Sequence, residues 1–143
     1  LGPAAGLGLR IDTSAATFGL GLGYAQHGAD NTTLSIDQRS FDAVLVAARH
    51  LDLGAFAPGL GVRGGAELIW QRFETTGEAP DRLAVTPLVG PVLHLDWAIS
   101  ARWLLGLEAG ADIQLYFEQE LDEPLVHTAA VPHLSLVLSR YVF

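Results

Sequence analysis

Cysteine and lysine are both missing from this sequence of 143 residues, and each absence excludes a kind of site. Without cysteine the chain forms neither disulfides nor thiolate metal centres. All eight basic residues are arginine, they stand against sixteen carboxylates, and the net charge is −8. Binding to nucleic-acid phosphates needs clustered basic charge, so we expect no nucleic-acid partner.

The sequence also lacks a segment that could cross a bilayer as a helix. Half of the chain is hydrophobic and 17% is charged, whereas about 25% of the residues in a soluble domain are charged. A spanning helix needs about 20 consecutive apolar residues, and the longest weakly charged stretch, residues 83–95, contains Pro87, Gly90 and Pro91. These residues break helices. An apolar composition without a helical span is typical of a membrane β-barrel.

What the sequence does contain is an alternation of apolar and polar residues with a period of two, which is the period of a strand. It is clearest over residues 102–118, where Trp103, Leu107 and Ile113 share one face and Glu108 and Asp112 share the other. The same reasoning predicts seven strands, over residues 1–11, 16–24, 38–49, 58–70, 83–97, 102–118 and 126–143.

The last predicted strand has one irregular feature. Leu134, Leu136 and Leu138 share a face, but Tyr141 and Phe143 have the opposite parity. Either a β-bulge near Ser139 or a different register would explain the change.

Short polar segments rich in turn residues separate the strands. They cover residues 12–14, 27–33, 52–54, 75–81, 99–100 and 119–124. We therefore expect an all-β, antiparallel up-and-down meander that forms a single domain over residues 1–143.

Three features favour an apolar face toward lipid over an apolar face in a soluble core. The 14 residue steps from Trp103 to Phe117 would cover about 35 Å of bilayer at roughly 3.3 Å per residue and a tilt near 40°. Aromatic residues fall near strand ends, where amphipathic rings meet the two membrane interfaces. We assign six residues to these belts: Tyr24, Trp70, Trp97, Trp103, Phe117 and Phe143.

The third feature is the composition of the polar face, which mixes glycines with a few charged residues. Narrow barrels fill their interior with side chains, and opposite charges in a confined interior can pair by hydrogen bonds. We predict an interior network formed by Arg10, Arg63, Glu67, His94, Asp96, Arg102, Glu108 and Asp112.

With these strands, aromatic belts and the terminal sequence Ser139 to Phe143, the chain resembles the small bacterial outer-membrane β-barrel class, with OmpA/OmpX-like architecture of about eight strands. The resemblance implies an outer-membrane location, contact with membrane lipid and lipopolysaccharide, and recognition of the C-terminal strand by the barrel assembly machinery. Members of the class serve as anchors, adhesion or resistance factors, narrow channels and, in a few cases, lipid-modifying enzymes. The fold alone does not choose among these functions.

Candidate chemistry is sparse. His133 and Ser135 lie on one face of the last strand, an arrangement that resembles some outer-membrane lipid hydrolases, but structural polar residues are the favoured interpretation. His94 and Asp96 could contribute to a metal site only if three or four ligands converged, and we predict neither a metal nor a cofactor. The main hypothesis is a non-enzymatic barrel with an anchoring or narrow-channel role. The alternatives are a membrane-embedded lipid hydrolase and a soluble lipocalin-like barrel.

An even number of strands is the rule for bacterial single-chain barrels, yet seven are predicted here. We therefore hypothesise that the chain is the C-terminal part of an eight-stranded or larger barrel whose first strand was removed or belongs to another segment.

Overall fold

The computed structural model describes residues 3–30, 34–75, 81–120 and 123–140, and it confirms the seven predicted strands. The strands are β1 (Ala4–Asp12), β2 (Ala16–Asp30), β3 (Leu34–His50), β4 (Phe56–Thr75), β5 (Arg82–Ala98), β6 (Trp103–Glu120) and β7 (Glu123–Arg140). In the described part of the chain, no helix is long and apolar enough to cross a bilayer.

The strands form one sheet in which each strand pairs antiparallel with its neighbours in sequence. This confirms the all-β, up-and-down meander. Pairing within the described residues leaves β1 and β7 at the two edges of the sheet.

The connections 13–15, 51–55 and 99–102 lie at one end of the sheet, here called the turn end, and the opposite end is called the loop end. In the turn 51–55, Gly54 has a φ of 83° and its N–H donates to Asp52 Oδ1 at 2.8 Å. A positive φ there favours glycine, which has no Cβ to clash.

Strands reach further into the loop end than predicted. Residues 27–30 were expected to be loop and residues 34–37 lay before the predicted strand 38–49, but both segments continue the β2–β3 ladder, with Gly28 opposite Asp37 and Ala29 opposite Ile36. The polar composition of this segment is typical of a loop, but the ladder hydrogen bonds of the long hairpin outweigh that weak local preference.

Of the two explanations offered for the last strand, the bulge near Ser139 is not seen in the described part of β7, which ends at Arg140. The β6–β7 register runs without interruption from Glu120 opposite Glu123 to Trp103 opposite Arg140. Tyr141 and Phe143 lie outside the described residues, so the parity change that motivated the bulge has no counterpart within the described ladder.

The two faces of the sheet are inverted relative to a soluble protein. On β5, outward-facing Leu93 is 59% exposed, whereas inward-facing Asp96 is 4% exposed and Thr86 is fully buried. Leu107 and Ile113 on β6 are exposed as predicted, at 44% and 50%. The apolar face therefore points outward, and the polar face lines the interior.

Candidate functional site: the polar interior and the aromatic belts

A group of polar residues spans the interior near the turn end. Arg10 of β1 donates from both terminal nitrogens to the Asp96 carboxylate of β5, at 3.0 and 2.5 Å, and its Nε donates to Asp12 at 2.8 Å. Thr17 Oγ1 donates to Asp12 at 2.6 Å and lies 3.3 Å from His50 Nδ1. We call these five residues the turn-end cluster. Because β1 and β5 are four strands apart in the sheet, the Arg10–Asp96 pair shows that the sheet curls and brings its polar face together across the interior.

A second group, the central cluster, joins β4, β6 and β7. Arg63 Nε lies 3.3 Å from Asp112 Oδ1, and His133 Nδ1 lies 3.5 Å from Asp112 Oδ2. Gln114 Nε2 donates to Glu67 Oε2 at 2.7 Å and its Oε1 accepts from the hydroxyl of Tyr116. A buried charge without a partner is costly, and these contacts place each of the cluster's charged groups beside a polar one.

Glycines on the inner face make room for the bulky polar side chains. A Cβ on Gly59 would lie 2.2 Å from the His94 ring, and one on Gly110 would lie 2.6 Å from the His133 ring. A Cβ on Gly23 would lie 2.1 Å from Asp42 Oδ1. Each of these side chains therefore lies over a glycine of an adjacent strand, which explains why glycine and charge share the inner face.

The interior holds several polar atoms that are buried without a hydrogen-bond partner. They are Arg63 Nε, Thr86 Oγ1, His94 Nε2, Asp112 Oδ1 and both ring nitrogens of His133. Within the described residues, no three histidine or carboxylate side chains are arranged to hold a metal ion.

Seven of the eight residues predicted for the interior network lie on the inner face, and five of them belong to one of the two clusters. Arg10 and Asp96 belong to the turn-end cluster, and His94 Nε2 lies 4.0 Å from Asp96. Glu108 lies on the same face, directly opposite His94 of β5 and Ser135 of β7.

Arg102 is a correction to the predicted network. It lies exposed in the turn 99–102, where its backbone N–H donates to Ser100 Oγ at 3.3 Å. The prediction extended the alternation of β6 one residue too far, and the strand begins at Trp103.

Sequence reasoning left several inner-face residues out of the network: Asp12, Thr17, Asp42, His50, Gln114 and Tyr116. It considered His133 only as a weak catalytic candidate. The positions of the omitted residues were detectable in part, since Gln114 has the parity of Asp112 and Asp42 has the parity of Ser40. The partner of each side chain depends on how the sheet curls, and alternation does not contain that information.

The pair His133 and Ser135 does not form a catalytic arrangement. Both side chains face the interior, and His133 has Asp112 beside it at 3.5 Å. Among the described contacts, however, no hydrogen bond joins Ser135 to His133. A serine nucleophile needs a base within hydrogen-bond reach, so the geometry gives no support to the hydrolase alternative.

Aromatic residues mark both ends of the outer surface. At the turn end, Trp97 stacks on Phe56 with ring centroids 5.9 Å apart, and the Arg140 guanidinium lies 5.8 Å from the Trp103 ring. Tyr24, Trp70 and Phe117 lie toward the loop end with exposed rings. Phe143 lies outside the described residues. Two aromatic levels separated by an apolar band match the two interfaces of a bilayer.

Comparison with solved structures identifies the fold. The chain is similar to Ail, the attachment invasion locus protein of Yersinia pestis, with a TM-score of 0.58 and 12% identity over 94% of this chain and 79% of that one. It is also similar to Neisserial surface protein A, with a TM-score of 0.60 and 12% identity over 98% of this chain and 84% of that one. No protein-family model matches, and no curated protein matches. The fold is that of the small outer-membrane β-barrels of the OmpA/OmpX-like class.

Proposed function

We propose that this protein is an integral barrel of the bacterial outer membrane, with a structural or anchoring role and an interior closed to solutes. The observation that carries the proposal is the set of contacts across the interior. Arg10 of β1 binds Asp96 of β5, and Arg63 and Glu67 of β4 contact Asp112 and Gln114 of β6.

The width of the barrel supports a closed interior. A barrel of about eight strands has an interior that side chains just fill, whereas water-filled channels need many more strands. In this chain the inner face carries arginine, histidine and carboxylate side chains that occupy the space and bind one another. The inverted faces place the apolar residues where acyl chains would cover them.

Conductance measurements test the proposal. The folded protein is reconstituted into liposomes and planar bilayers, and sugar efflux and single-channel current are recorded. We expect both to equal those of protein-free membranes. Steady single-channel steps from the wild-type protein would contradict a closed interior and favour a narrow channel instead.

Two controls make the result interpretable. The double variant Arg10→Ala, Asp96→Ala removes the contact between β1 and β5, and we expect it to conduct more than the wild type. Resistance of the reconstituted protein to extraction by alkaline carbonate shows that it has inserted. A protein that is extracted from the membrane would overturn the membrane assignment itself.

A further inference from the structure

The eight arginines differ in whether they have an anionic partner. Arg10 and Arg63 pair with carboxylates in the interior, at the distances given above. Near the loop end, Arg39 lies 3.2 Å from Asp37 and Arg72 lies 3.8 Å from Asp81. Arg82 lies 6.0 Å from the ring centroid of Phe73 and takes part in a further interaction.

The remaining three, Arg49, Arg102 and Arg140, are all exposed and all lie at the turn end. Among the described residues, none of the three has a carboxylate partner. Arg49 is on the outward face, and its cross-strand neighbours are apolar Ala16 and Leu60. Arg140 lies directly opposite Trp103, over whose ring its guanidinium is placed.

The distribution of acidic residues makes these arginines distinctive. In sequence, the turn-end segments 13–15, 49–55 and 98–103 contain a single carboxylate, Asp52. Segments 27–39, 71–82 and 118–124, toward the loop end, contain nine carboxylates and three arginines. With the turn-end cluster and Arg140 included, the turn end has four arginines against three carboxylates, so by sequence the two ends carry opposite net charge. The positive end lies beside the Trp97 and Trp103 belt.

From this we propose that the turn end binds the phosphate groups of anionic phospholipids through Arg49, Arg102 and Arg140; the inference rests on the proposed membrane location. A guanidinium presents a planar fork of donors that matches phosphate oxygens. At the level of the Trp97 and Trp103 belt, the guanidinium lies at the depth of the lipid phosphates. The Trp103 ring holds Arg140 by a cation–π contact and reduces the entropy that the side chain loses on binding phosphate.

Quenching of tryptophan fluorescence by brominated lipids tests whether anionic phospholipid binds at the turn end of the barrel. The variant Trp70→Phe leaves fluorescence from Trp97 and Trp103 only. It is reconstituted in phosphatidylcholine vesicles that contain a fixed fraction of brominated phosphatidylglycerol or, separately, the same fraction of brominated phosphatidylcholine. We expect severalfold stronger quenching by the brominated phosphatidylglycerol, because each basic residue near an anionic membrane surface changes lipid affinity by about fivefold. The preference should fall at high salt.

Variants at the two ends separate the effect of the turn end from that of overall charge. Replacing Arg49, Arg102 and Arg140 together by Gln should abolish the preference, whereas replacing Arg39 and Arg72 by Gln should leave it unchanged. Circular dichroism confirms that each variant is folded. Equal quenching by both brominated lipids, or loss of the preference in the loop-end variant, would overturn the inference. Absence of quenching by either lipid would instead contradict the membrane location. Inorganic phosphate added at millimolar concentration should not compete, because it lacks the acyl chains that hold the headgroup at the belt.

Discussion

At the scale of single residues, an interior ion pair affects stability mainly because the loss of one partner leaves the other charge buried without compensation. Arg63 and Asp112 are 16% and 6% exposed, and Asp112 is also approached by His133. Replacing a whole buried pair with apolar residues can be neutral, but removing one partner leaves the other charge buried and uncompensated. The central cluster should therefore respond to single substitutions more strongly than to paired ones.

We predict that Arg63→Leu lowers the free energy of unfolding by about 3 kcal/mol, because the Asp112 carboxylate loses its cationic partner in a site of low dielectric constant. Urea unfolding in lipid vesicles, followed by tryptophan fluorescence, measures the change. Adding Asp112→Asn to that variant should recover part of the loss, since the amide is neutral.

The surface pair Arg72–Asp81 is the matched control for this prediction. Its side chains are 69% and 65% exposed, and its ion-pair distance is 3.8 Å. We expect Arg72→Leu to change stability by less than about 0.5 kcal/mol. Equal losses for Arg63→Leu and Arg72→Leu would show that the interior pair is solvated and has no special role.

At the scale of strands, the sequence was sufficient to predict the number of elements and the face of most residues. Alternation in β5 and β6 placed Asp96 and Asp112 inside and Leu93 and Ile113 outside, as the structure shows. Strand ends were less predictable, since Arg102 continues the alternation of β6 but belongs to the turn. The pairing of Arg10 with Asp96 depends on sheet curvature, a property of all the strands together that no single segment encodes.

The outer face allows a prediction that distinguishes lipid from water. Leu45 on β3 and Leu53 in the turn 51–55 are equally exposed, at 64% and 66%. In a soluble protein, an arginine would be tolerated at both positions. In a bilayer, Leu45→Arg places a charge in the apolar band and should cost about 2 to 4 kcal/mol. Leu53→Arg lies beyond the turn-end belt and should be close to neutral.

Unfolding of both variants in lipid vesicles checks this prediction. Each variant is also compared in nonionic detergent, where the micelle can adapt around a charge and the difference should be smaller. Similar stability of the two variants in lipid would contradict an outward face in contact with acyl chains.

Two adjacent glycines on β4 test whether the close approach of the β3 and β4 backbones requires glycine on the inner face. A Cβ on inward-facing Gly65 would lie 2.0 Å from the carbonyl oxygen of Ala43, whereas one on outward-facing Gly64 would meet its nearest atom at 3.6 Å. A backbone atom cannot move aside as a flexible side chain does. We expect Gly65→Ala to cost about 1 to 3 kcal/mol and Gly64→Ala to stay within about 0.5 kcal/mol of the wild type, as measured by urea unfolding.

At the scale of the whole molecule, the directions of the two edge strands decide how the sheet can close into a barrel. Both β1 and β7 are odd-numbered in an antiparallel meander, so they run in the same direction. A direct β1–β7 ladder would be parallel, unlike every other pair in the sheet. One further strand between them would pair antiparallel with both and would give the even strand number found in bacterial barrels.

We therefore predict that in the membrane β1 and β7 are separated by one strand that comes from outside the described sheet. Backbone groups at an open edge need hydrogen-bond partners in lipid, and an eighth strand supplies them to both edges.

Directly paired residues have Cβ atoms about 5 Å apart, whereas an intervening strand places the two edges about 10 Å apart. Since a disulfide needs Cβ atoms about 4 Å apart, oxidation should not join Leu7→Cys on β1 with Leu134→Cys, Leu136→Cys or Leu138→Cys on β7. A bifunctional thiol reagent that spans about 10 Å should join at least one of these pairs. The positive control is Leu7→Cys with Leu22→Cys, which lie opposite each other on β1 and β2 and should form a disulfide. Rapid disulfide formation between β1 and β7 would show instead that seven strands close directly on each other.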